Sequence, residues 1–201
     1  MIYSGWVFYN TFFDFIKTYQ QTGSFFNFVA QGYRDEHWDN FFGYYAWTFY
    51  VSKYYEFIDT WIILYKSGKP GSLQIIHHIG AVITMWLITA SRNPGTWIFV
   101  VFNSGIHTLM YFYYCLTTLG FRPKWKILLT VMQITQFLVG TTVSHFYLGT
   151  GGVLTPTQVV TLSITNSYVY IVFLLFAQFF FESYVRKGDV NKEGKVSKKE
   201  E

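Results

Sequence analysis

Ionic side chains are scarce in this sequence. Only 13% of its 201 residues are charged, against about 25% in soluble domains, so roughly half of an ordinary ionic surface is missing. That shortage, with apolar runs too long and too numerous for a soluble globule, argues against an aromatic-rich soluble domain. Cysteine is nearly absent. The single Cys115 permits no internal disulfide and no cysteine-based zinc site, and inside an apolar run it reads as a small packing residue. Histidine is limited to five, too few for a di-iron oxygenase that fills its iron shells with about eight histidines. A single metal on His77, His107 and Glu56 is the weaker alternative, and no metal site is expected. No nucleophile-elbow motif supports a serine triad, and no repeat appears at solenoid periods. The opening residues are not expected to be a cleavable signal peptide, because Asp14 and Lys17 interrupt the run and no basic segment precedes it.

Apolar residues make up 51% of the chain and aromatic residues 23%. They fall into six stretches at 2–19, 40–65, 73–90, 96–118, 125–148 and 158–184, each near the roughly 17–25 residues that a spanning helix needs. Breakers separate them: Lys66-Ser-Gly-Lys-Pro-Gly71, Arg92-Asn-Pro-Gly95, Gly120-Phe-Arg-Pro123 and Gly149-Thr-Gly-Gly152. The runs do not alternate as barrel strands would. The expected fold is an all-α membrane protein of six transmembrane helices, with one domain over 1–184 and a flexible basic tail over 185–201.

An even number of spans puts both termini on one side. With the tail in the cytosol, that side carries Lys66, Lys69, Arg122, Lys124, Lys126, Arg186, Lys187, Lys192, Lys195, Lys198 and Lys199, and the other side only Arg34 and Arg92. The positive-inside rule then sets both termini in the cytosol. The end Lys198-Lys199-Glu200-Glu201 resembles a dilysine signal for retrieval to the endoplasmic reticulum, which works only from the cytosolic side; an ordinary solvated tail is the alternative, but position, side and the hydrophobic chain before it favour the signal.

Polar residues inside apolar spans are costly and mark function by default. In the second stretch Lys53, Glu56 and Asp59 recur at i, i+3, i+6, followed by Thr60. The third opens with Gln74, His77 and His78; Gln74 and His77 share a face, while the adjacent histidines point about 100° apart. In the fourth, Asn103, His107 and Tyr111 stack at i, i+4, i+8. In the fifth, Thr130, Gln133 and Gln136 form another i, i+3, i+6 set. Counted from the cytosolic ends, Glu56, Asp59, His77, His107, Tyr111 and Gln133 lie about 6–17 Å deep at 1.5 Å per residue. His145 reads as a hydrogen-bonded structural residue and His37 as a surface one. A self-satisfied ion pair accounts for Lys53 with one carboxylate, but leaves a second acid and a threonine over. A small transporter with a polar pathway is the rival, although the paired, broken helices of transporters are not evident.

These motifs resemble the ELO fatty-acid elongases, the membrane condensing enzymes of very-long-chain acyl-CoA synthesis (3-ketoacyl-CoA synthases). The match rests on Lys53-x-x-Glu56-x-x-Asp59-Thr60, Gln74-x-x-His77-His78, Asn103-x-x-x-His107-x-x-Met110-Tyr111-x-Tyr113-Tyr114 and Thr130-x-x-Gln133-x-x-Gln136, and it covers residues 9–201. The resemblance implies a bundle around an acyl tunnel in the endoplasmic reticulum membrane, with acyl-CoA and malonyl-CoA as substrates and no bound cofactor. It further implies that His77 attacks the acyl thioester and that His107 assists decarboxylation or holds the enolate oxygen. Gln74, His78, Asn103 and Gln133 would supply oxyanion donors, with Glu56 and Asp59 setting histidine tautomers. Lys66, Lys69, Arg122, Lys124 and Lys126 would meet the phosphates of CoA, although positive-inside topology explains them equally well. The implied partners are the lipid bilayer and the reductases and dehydratase of the elongation cycle, with a homodimer left open and no nucleic acid.

The family's histidine box usually begins with histidine. Gln74 in its place looks like some elongases of polyunsaturated chains. Family members usually have seven spans, so the resemblance implies that the first is missing here, through truncation or because it is dispensable. Bulky residues near the closed end of the tunnel, such as His145, Phe146 and Tyr147, are expected to set chain length.

Overall fold

The computed structural model describes residues 1–186. The lysine-rich end of the tail lies outside the described residues. Every element is helical, and no strand occurs among the described residues. The helices are α1 (Ile2–Thr22), α2 (Phe25–Gln31), α3 (Asp35–His37), α4 (Gly43–Tyr55), α5 (Phe57–Ser67), α6 (Ser72–Ala90), α7 (Thr96–Thr118), α8 (Lys126–Gly149) and α9 (Pro156–Phe180). Wider turns at Trp38–Phe42 and Phe181–Arg186 lead into α4 and out of α9.

Local chemistry sets the boundaries. Gly68 ends α5 at φ 73°, a left-handed conformation that favours glycine. The start of α9 is a capping box: Thr155 accepts from the Gln158 backbone, Gln158 reaches back to the Thr155 N–H, and Pro156 follows the cap. Gln158 also donates to the carbonyls of Ser91 and Arg92 at 3.2 and 3.0 Å, which ties α9 to the α6–α7 link.

Among the described residues, three helices are long and apolar enough to cross a membrane: Ser72–Ala90, Lys126–Gly149 and Pro156–Arg186. The other expected spans miss that measure for local reasons. Asp14 and Lys17 lie in α1, the second stretch breaks at Glu56 into two shorter helices, and α7 carries a run of polar side chains. Large apolar residues such as Ile75, Ile79, Ile83 and Trp86 face outward from α6, while Thr84, Ser104, Thr165 and Asn166 are buried. This inversion of the soluble pattern suits a lipid-facing exterior.

Helix α4 packs on α6, α6 on α9, α9 on α8, α8 on α7, and α7 back on α4. Helix α1 lies outside this ring against α7. Gly105 leaves just enough room there for the Phe8 ring, since a Cβ would sit 3.0 Å from it. The aromatic core under α2 gathers Phe28, Tyr33, Phe42 and Trp97, with Trp97 Nε1 donating to Tyr147 at 2.8 Å. Burial and the nearby Asp14 carboxylate push the Tyr33 phenol far above its ordinary pKa.

Candidate active site

Two polar stripes meet face to face. Lys53, Glu56 and Asp59 line one side of α4 and α5, and Asn103, His107 and Tyr111 line one side of α7. Lys53 Nζ donates to Asn103 Oδ1 at 2.7 Å and to Glu56 Oε1 at 2.6 Å. The same carboxylate oxygen lies 3.3 Å from His107 Nδ1. The Tyr111 hydroxyl donates to Asp59 Oδ2 at 2.7 Å. Lys53 is buried, and its ammonium sits 4.0 Å from the centroid of the Phe49 ring. A carboxylate, an amide oxygen and an aromatic face thus replace its water. With Glu56 on Nδ1, His107 keeps Nε2 free of any partner among the described residues, the arrangement by which a carboxylate fixes a histidine tautomer.

The adjacent histidines divide as their angular separation requires. His78 is buried, with Nδ1 3.0 Å from Thr60 Oγ1 and Nε2 3.2 Å from the Gln74 amide nitrogen. That amide also lies 3.4 Å from Thr60 Oγ1. Gln74 therefore serves His78 at i+4 rather than His77 at i+3; both positions are helix neighbours, and His77 is turned inward. Neither ring nitrogen of His77 has a hydrogen-bond partner among the described residues. Its ring packs edge-on to Phe176 of α9 at 6.3 Å.

His77 faces a narrow apolar slot that is open on one side. Five helices line it: Phe49 and Lys53 from α4, His77 and Met85 from α6, Ile98 and Asn103 from α7, Gln136 and Gly140 from α8, and Tyr168 and Val172 from α9. Helix α1 contributes nothing to the lining, so the slot is enclosed by fewer helices than expected. Of the set on α8, Gln136 alone reaches the slot, and its buried Oε1 has no partner among the described residues. Gln133 instead points its amide at Met110 Sδ, 3.8 Å away. Thr130 lies 3.3 Å from the Tyr184 hydroxyl.

The residues expected to close the tunnel do not line this slot. His145 is exposed, bonded to the Thr141 carbonyl at 2.6 Å, Phe146 is 53% exposed, and Tyr147 is tied to Trp97. Three consecutive helical residues point in three directions, and here all point elsewhere. Cys115 is exposed rather than packed. His37 is half-buried rather than a surface residue, with Nε2 3.0 Å from Asp14 Oδ2.

Lys66, Lys69, Arg122, Lys124 and Lys126 are all exposed, and none is in an ion pair among the described residues. Lys66 and Lys69 stand at the link from α5 to α6, the helix that carries His77 near its start, and Arg122, Lys124 and Lys126 stand at the link from α7 to α8. No group of three or more His, Cys, Asp or Glu side chains is arranged to hold a metal among the described residues.

Tyr168, Phe176 and Gly80 were not signalled by any motif. Tyr168, Val172 and Phe176 recur every four residues on α9, but in an apolar span such a stripe reads only as packing.

The pattern of the ELO: GNS1/SUR4 family matches residues 1–192. Fatty acid elongase sre1 and fatty acid elongase A of Dictyostelium discoideum are 35% and 36% identical over 161 residues each, covering 79% and 76% of this chain. Very long chain fatty acid elongase 6 of Gallus gallus is 33% identical over 150 residues, 72% of this chain. The chain spans 59%, 58% and 56% of the length of these three relatives. No solved structure matches it. With a family match over nearly its whole length, this chain belongs to the ELO (GNS1/SUR4) family.

Proposed function

We propose that this chain is the condensing unit of a fatty acid elongase, joining acyl-CoA to malonyl-CoA with release of CO₂ and CoA. The observation that carries the reading is the division of labour among the histidines. His78 has both ring nitrogens engaged and His107 is held by Glu56 at Nδ1, whereas His77 faces an apolar slot with both nitrogens unengaged. An unengaged imidazole at the head of a slot of acyl-chain character is placed for nucleophilic attack on a thioester.

In this reading a His77 nitrogen forms a bond to the acyl carbon and the carbon–sulfur bond breaks. The other imidazole nitrogen releases its proton to the departing CoA thiolate. Malonyl-CoA then loses CO₂, and its enolate carbon attacks the acyl-imidazole, which breaks the carbon–nitrogen bond. One proton from solvent restores His77 and balances the cycle. Asn103 and Lys53 line the slot as donors to the enolate and tetrahedral oxygens, while His107, its Nδ1–H held by Glu56, presents Nε2 as an acceptor. Gln136 takes the place expected of Gln133. The five exposed cations would receive CoA phosphates by charge-assisted hydrogen bonds. The six spans, the cytosolic termini, residence in the endoplasmic reticulum and work alongside the reductases and dehydratase of the cycle belong to the same proposal.

Microsomes expressing the chain should incorporate labelled malonyl-CoA into a 3-ketoacyl product. His77→Ala should abolish the product while Cys115→Ala leaves it intact. The reverse pattern would sink the histidine nucleophile. Solute flux through liposomes without acyl-CoA turnover would favour a transporter instead.

A further inference from the structure

Between α6 and α9, one contact is made at the backbone of the proposed nucleophile. The Tyr168 hydroxyl donates to the carbonyl oxygen of His77 at 2.6 Å. A helical carbonyl already accepts from the N–H four residues on, but its second lone pair is available, and Tyr168 takes it. The ring can reach so far into α6 because residue 80, one turn beyond His77 on the same face, is glycine. A Cβ on Gly80 would fall within the Tyr168 ring, against Cε2, Cδ2 and Cζ.

Tyr168 thus lies flat in a notch cut by Gly80. Two turns on along α9, Phe176 meets the His77 ring itself. The start of α6 has need of such an anchor: its N-cap is Gly71, with no side chain bonded to the first-turn N–H groups. An uncapped first turn frays readily, and His77 is only the sixth residue of the helix.

Resting on the elongase reading, we propose that Tyr168 and Gly80 form a positioning pair for the catalytic imidazole. Gly80 admits the Tyr168 ring, and Tyr168 fixes the main chain of His77 so that its imidazole faces the slot. Neither residue touches the reacting atoms. A misplacement of about 1 Å costs up to roughly a hundredfold in rate, so the pair should act on turnover rather than on substrate affinity.

The test compares wild type, Tyr168→Phe, Gly80→Ala and the double variant, purified in detergent and normalised to folded protein by melting curves. Tyr168→Phe should lower kcat about tenfold or more while the KM values for acyl-CoA and malonyl-CoA stay within about twofold. With acyl-CoA alone, the rate at which mass spectrometry detects acylated His77 should fall by the same factor. Gly80→Ala should match it, and the double variant should be no worse than the weaker single, because both break one contact. A Tyr168→Phe enzyme with wild-type kcat, a loss confined to KM or to melting temperature, or multiplicative losses in the double variant would overturn the pair while leaving the elongase reading standing. A wild type with no turnover would overturn both.

Discussion

Glu56 divides its two oxygens unequally. Oε1 faces both Lys53 and His107, whereas Oε2 is buried with no partner among the described residues. Removing one member of a buried charged pair leaves the other uncompensated and costs about 3–5 kcal/mol. Glu56→Gln should therefore lower the melting temperature markedly and also cost turnover, because a neutral amide holds the His107 Nδ1–H less firmly than the carboxylate and can present an N–H in its place. The exposed Arg92–Asp39 pair offers the contrast: Asp39→Ala should shift stability by no more than about 1 kcal/mol. Thermal melts of both variants in one detergent check the difference. Much of the polar set at this scale was legible in advance, because i, i+3 and i, i+4 spacings inside apolar runs stand out against lipid. The partner of each side chain was not. Spacing placed Gln74 near both His77 and His78, and only packing chose between them. Gly80 and Tyr168 carried no signal, since a glycine and a tyrosine in apolar spans are equally at home as interface residues.

The apolar stretches 73–90, 96–118 and 125–148 coincide within a residue with the helices α6, α7 and α8, because Pro- and Gly-containing breakers punctuate them. The stretch 40–65 fared differently. Its apolar content runs on without a breaker, yet the helix breaks at Glu56, and a wider turn at Trp38–Phe42 precedes it. Helices α2 and α3 were not foreseen either, being too short for periodicity to register. The capping box of α9 is readable as Thr155-Pro-Thr-Gln158, but its tertiary use is not: Gln158 also holds the carbonyls of Ser91 and Arg92. Thr155→Ala should cost about 1 kcal/mol as a lost cap. Gln158→Ala should cost more, because it frees those two carbonyls as well. Melting curves that ranked the two in the opposite order would show that α9 does not depend on the link.

For the molecule as a whole, the ring of helices turns composition into a measure of length. His77 stands at one end of the slot, while Met85, Ile98 and Gly140 line it further along their helices. Gly140 is the narrow point open to adjustment: a Cβ there would lie 3.4 Å from Ile98 Cγ2, an ordinary contact, so alanine fits and a larger side chain must enter the slot. Under the elongase reading, Gly140→Val should shift the enzyme toward shorter acyl-CoA. Each methylene denied burial forfeits about 0.8 kcal/mol, so excluding two should lower kcat/KM for the longest chain accepted by roughly tenfold and leave short chains nearly untouched. Gly140→Ala should behave as wild type. Phe146→Ala, on a residue turned away from the slot, should leave the product profile unchanged even if it weakens packing against Phe25. Mass spectrometry of lipids from cells offered fatty acids of graded length separates these outcomes. A profile that moved with Phe146 and not with Gly140 would place the end of the acyl path beyond this slot, near the far ends of α8 and α9.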